Sequence, residues 1–142
     1  MEKLKTYESF WDFRKKPKMT QKDINNEKLK KIPHFLKESG IAKDILDLKV
    51  TTYEIGFSRL VPNKLVLDVN GSNFGQFVRF EFLVDDDYFV IKPIRCLYSV
   101  NNVVSINSDK PKDFEDFGTE LSQMFDLERG ILQFMRENDL VK

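Results

Sequence analysis

The chain has 142 residues, and 23 lysines and arginines balance 23 aspartates and glutamates. That length suits a single domain with a sizeable core, and a hydrophobic content of 41% excludes a wholly disordered chain. One cysteine and one histidine exclude an internal disulfide and an ordinary zinc site, and no run of eighteen apolar residues is present to cross a membrane.

The balance of charge hides an asymmetry. Residues 1–49 hold thirteen basic against eight acidic side chains, and residues 50–142 hold ten against fifteen. The N-terminus opens on charged residues without the apolar run of a signal peptide, so a cytoplasmic protein is expected.

In chain order, Thr6 to Arg14 reads as a short helix that places Tyr7, Phe10 and Trp11 near one face. Arg14, Lys15, Lys16 and Lys18, then Lys28, Lys30 and Lys31, form two basic clusters. Neither is interleaved with aromatics, and both read as solvated faces rather than a nucleic-acid footprint. Thr20 followed by Asp23 resembles a capping box, which starts a surface helix near Gln21 with sparse apolar positions at Ile24, Leu29 and Ile32. Pro33 suits the start of a further helix that turns Phe35 and Leu36 inward, and Gly40 suits its left-handed end. A last helical turn, Ile41 to Leu46, is expected to bury Ile41 and Ile45. Residues 1–47 are therefore expected to be helical, broken and basic.

From 48 to 106 the period changes to two. Thr51, Tyr53, Ile55 and Phe57 mark one strand, and Leu65, Leu67 and Val69 a second after a turn at Pro62-Asn63. Asn70-Gly71 is the strongest two-residue hairpin signal, because both central positions of a type I′ turn need positive φ. Val78, Phe80, Phe82 and Val84 alternate with Arg79 and Glu81 in the most aromatic strand. Asp85-Asp86-Asp87 breaks that pattern as a turn, and Tyr88 to Ile91 resumes it. Pro93 implies an edge or a bend, past which Cys96, Tyr98 and Val100 continue the strand. Asn101-Asn102 turns the chain into a fifth strand, Val103 to Ile106. Short loops favour an antiparallel meander.

Over 111–140, Phe114, Phe117, Leu121, Met124, Phe125, Leu132 and Met135 recur at helical spacing. Ser108 or Asp109 is expected to cap this segment, Pro111 to open it, and a bend near Asp126 to divide it. Its stripe should cover the sheet face that bears Phe80 and Phe82. The fold class is thus α+β: five antiparallel strands, a helical N-terminal third and a C-terminal amphipathic helix on the sheet.

No residue pattern in the chain marks a catalytic or metal site. His34 has no cysteine or second histidine to share a metal and reads as solvent-facing. Cys96 follows Arg95, but neighbours on a strand point to opposite faces, so a buried structural thiol is expected. The aspartates at 85 to 87 lack the spacing and central glycine of a calcium loop. No phosphate-binding glycine loop, nucleophile elbow or Glu-x-Lys strand occurs. No cofactor, metal or catalytic role follows from these residues.

The acidic residues carry more. Asp113, Glu115, Asp116 and Glu120 cluster at the start of the C-terminal helix, where the helix dipole itself favours acids. With Asp85, Asp86 and Asp87 they could form one negative surface for a basic protein. A compact, aromatic-rich, charge-asymmetric domain without catalytic machinery resembles in character the bacterial immunity proteins that bind and neutralise a cognate toxin. The resemblance implies a protein partner, a basic toxin domain, and no enzymatic activity. The alternative is a small-molecule-binding or enzymatic α+β domain, recognisable by a Phe-lined pocket between sheet and helix.

Overall fold

The computed structural model describes residues 20–43, 45–85 and 91–140. The expected helix at Thr6–Arg14, Trp11 and its basic neighbours, Asp86, Asp87 and Tyr88 to Val90 lie outside the described residues. Among those described, helix α1 (Gln21–Lys30) and helix α2 (Ile32–Ser39) precede a short 3₁₀ turn at Ile45–Asp47. Strands β1 (Val50–Phe57), β2 (Lys64–Gly71), β3 (Phe77–Val84), β4 (Ile91–Val100) and β5 (Val103–Asn107) follow, then helices α3 (Pro111–Asp116) and α4 (Gly118–Glu137). The sheet is an antiparallel meander in the order β1-β2-β3-β4-β5, so the α+β class holds.

The N-terminal helices form where the local chemistry asks for them. Thr20 Oγ1 accepts the Asp23 N–H, and the Asp23 carboxylate accepts the Thr20 N–H, a reciprocal capping box. Gly40 ends α2 at φ 66°, and Lys28 donates from Nζ to the Asn138 carbonyl, tying α1 to the end of α4. Ile45 is buried as expected, but Ile41 is 43% exposed. Leu46 and Asp47 take positive φ, so the turn does not continue the helical face that would have hidden Ile41.

Register in the sheet follows the apolar pattern. Leu65, Leu67 and Val69 of β2 lie opposite Phe82, Phe80 and Val78 of β3, and all six are buried. This overrides Asn70-Gly71 as a turn. A two-residue loop there would set Val69 against Ser72 and leave Phe80 opposite Val61. Asn70 instead pairs within the ladder and donates its side-chain amide to Thr52 and Glu54. The chain reverses over Ser72–Gln76, with Gly75 at φ 63°, where a Cβ would strike the Asn101-Asn102 backbone. Asn101 and Asn102 do make the expected turn, both at positive φ.

Pro93 is accommodated in both ways anticipated. Arg95 pairs with Glu81 and Pro93 with Phe82, so Ile94 is extra and the strand bulges there. The β5 partners run only from Leu97 to Val100, leaving Pro93 on a local edge.

The C-terminal segment divides at Phe117-Gly118, not near Asp126. Phe117 leaves helical geometry at φ −131° and ψ 39°. Pro111 opens α3, but neither Ser108 nor Asp109 caps it; Lys110 holds that position with no side-chain bond. Met124, Leu127, Ile131 and Met135 form an unbroken buried stripe in α4, whose packing outweighs the roughly 1 kcal/mol penalty of Gly130. They join Phe80, Phe82 and Leu67 in one core cluster, and Phe134 stacks on Phe35 of α2 with centroids 4.1 Å apart. Phe114, expected inside, is 49% exposed.

The stripe also buries Glu128, 8% exposed and without a hydrogen-bond partner among the described residues. Burial alone pushes its carboxyl above the ordinary value. A raised folded-state pKa means stability is lost as pH climbs from the unfolded to the folded value. Glu128→Gln is therefore expected to remove this pH-dependent loss, so that the variant gains on the wild type as pH rises from below the ordinary carboxyl range to 7. Urea unfolding at pH 3.5 and 7 (about one unit below and well above the free carboxyl value) measures the gain.

Candidate protein-binding surface

The structure separates the acidic residues that the sequence grouped. Asp113 is half-buried and structural, because its Oδ2 accepts the Asn107 N–H at 2.8 Å and so ties α3 to β5. Asp116 faces Lys112 at 3.6 Å, with the lysine side chain largely in water and the aspartate about half so. Glu115 is exposed, and Glu120 is half-buried on the first turn of α4. Phe114 projects beside them, its ring 6.1 Å from that of Phe125. This is an apolar ring half out of water on a stretch rich in carboxylates, a combination that suits a protein-binding patch with a polar rim.

Asp85 is exposed at the end of β3, and it lies elsewhere. Asn107 sits opposite Leu97 while Val84 pairs with Ile91. Six residues of β4 separate those levels, roughly 20 Å along the strand. Asp85 therefore does not extend the acidic surface of α3 and α4.

The sheet face turned away from the helices holds an ion network invisible in the sequence. Arg79 grips Asp68 through two bonds, Nε–Oδ1 at 2.7 Å and Nη2–Oδ2 at 2.9 Å, and lies over the Phe77 ring. Glu81, only 3% exposed, accepts from Arg95 Nε at 2.6 Å and meets Lys64 Nζ at 3.0 Å. Burial opposes ionisation of Glu81, but the hydrogen bonds and charges of Arg95 and Lys64 prevail and hold its carboxyl below the ordinary value. Outward positions on alternating strands were legible; which of them meet across the ladder depends on register. A cleft of about 550 Å³ opens above the network, beneath Leu60 and Val61. Its three acids and three bases offset one another, so it presents no net charge to a partner.

A smaller cleft of about 360 Å³ lies between β5 and the start of α4. Asp47 and Glu120 contribute carboxylates to it, Tyr98, Ser105 and Thr119 hydroxyls, and Phe117 an aromatic wall.

The candidate reactive residues are placed as expected. His34 is exposed, with Nε2 3.9 Å from Glu38 Oε1. Cys96 is fully buried, and burial first, then the nearby Glu128 charge, pushes its thiol up to about 12. Arg95 is turned to Glu81 on the other face and gives it no help. Among the described residues, no group of three or more potential ligands gathers, and no helix is long and apolar enough to cross a membrane. Phe80 and Phe82 are packed to zero exposure, and neither lines the clefts described above.

Scans against family models, curated proteins and solved structures find no match to this chain.

Proposed function

We propose that this chain is a non-catalytic protein-binding module of the immunity type, a bacterial cytoplasmic protein that binds a basic toxin domain and neutralises it. The observation that carries this reading is Phe114, 49% exposed on α3, with Glu115, Asp116 and Glu120 on the same short stretch. Interfaces concentrate their energy in a few aromatic or apolar anchors, and acidic rims accelerate and orient a basic partner. The Cys96 thiol is buried and His34 stands on an exposed helix face, and this reading uses neither.

The test begins with the reading frame beside this chain's gene. Its product should arrest bacterial growth alone and not when co-expressed with this protein. With that product in hand, Glu115→Gln/Asp116→Asn/Glu120→Gln should associate about tenfold more slowly at low salt and show a shallower salt dependence. Phe114→Ala should mainly accelerate dissociation. Asp113 is kept intact because it braces β5. Unchanged kinetics in both variants would remove this surface from the interface, and absence of any growth rescue would remove the immunity reading.

A further inference from the structure

Strand β5 closes the sheet on one side, pairing with β4 alone among the described strands. One end of its outer edge is blocked, since the Asp113 carboxylate takes the Asn107 N–H. The rest, Val103 to Ile106, is differently treated. Proteins protect such edges with lysine, proline, a bulge, a very short strand or a covering element. None of these residues is lysine or proline, and Val103 and Val104 stand 67% and 49% exposed. Its protection is partial: β5 is short, and register slips between Tyr98 and Ser99 of β4 at the level of Ser105, which limits the open edge to a short stretch around Val104 and Ser105.

The cleft of about 360 Å³ runs beside this edge, with Ser105 and Ile106 in one wall and Thr119 and Glu120 in another. Among the described residues its lining includes two carboxylates, Asp47 and Glu120, and no lysine or arginine. An extended segment laid along β5 would send alternate side chains to opposite faces, so one of them can enter this cleft. We infer that the β5 edge binds an extended basic segment of a protein partner by strand addition, with a lysine or arginine received between Asp47 and Glu120. A second copy of β5 is a poor occupant, because that strand has no cation to offer those two carboxylates. The inference deepens the reading of a basic partner and rests on it.

The test uses the full chain, isotope-labelled for NMR, and three capped hexapeptides. One alternates lysine with valine, one alternates glutamate with valine, and one is the lysine peptide with every backbone amide N-methylated, so that neither of its edges can donate. The lysine peptide should shift the amide signals of Val103 to Ile106 and slow hydrogen exchange at the outward-facing amides of Val104 and Ser105, since Ile106 and Val103 already face β4. It should bind at least about tenfold tighter than the glutamate peptide, and lose about tenfold in Asp47→Asn/Glu120→Gln. N-methylation should abolish binding, since strand addition needs the peptide's own N–H groups. Equal binding of the N-methylated peptide overturns strand addition while leaving a basic partner standing. Equal binding of the glutamate peptide overturns the basic partner as well. No saturable binding of the lysine peptide at millimolar concentration overturns the β5 site.

Discussion

Phe80→Ala is expected to cost about 3–5 kcal/mol of stability. Its ring has no exposure and lies between Leu67 on β2 and Cys96 on β4, at the middle of the sheet's buried face. Strand backbones hydrogen-bonded on both sides have little freedom to collapse into the space, so the cavity term adds to the lost transfer energy. Urea denaturation measures the effect, with Phe74→Ala as a control. Phe74 is 79% exposed in the β2–β3 loop and should change stability by less than about 0.5 kcal/mol. A loss under about 1 kcal/mol for Phe80→Ala would mean that the helices do not seal this face.

Glu81→Ala is expected to cost about 2–3 kcal/mol, by leaving Arg95 and Lys64 crowded together without their shared carboxylate. Lys64 and Arg95 keep 16% and 33% of their side-chain surface in water, which brings the cost below that of breaking a fully buried pair. The folded-state pKa of Glu81 is depressed, so its contribution is complete above the unfolded value and disappears as pH falls through the folded one. The wild type should therefore lose stability on acidification below the ordinary carboxyl range, and Glu81→Ala should lose less over the same window. Parallel pH profiles for the two proteins would show that the network contributes no net ionic stability. Glu128 has the opposite sign, its carboxyl raised by burial, so the two substitutions should move the acid profile in opposite directions.

The alternations at Leu65–Val69 and Val78–Val84, the Thr20–Asp23 cap, the Gly40 end and the Asn101-Asn102 turn are all legible in the sequence, because each depends on residues close in the chain. Non-local competition decided the rest. Asn70-Gly71 has turn chemistry, but aligning three buried pairs between β2 and β3 outweighs one favoured turn. Gly130 weakens a helix, yet the stripe from Met124 to Met135 packs straight through it and the break falls at Phe117 instead. The acidic residues were visible as a composition, but only the fold turned Asp113 into a brace for β5, set Asp85 far along the strand and left Phe114 beside Glu115 in water. The Glu81 network and the cleft beside β5 belong wholly to the tertiary structure. Register and helix placement choose which distant side chains meet, and no spacing along a single strand encodes that choice.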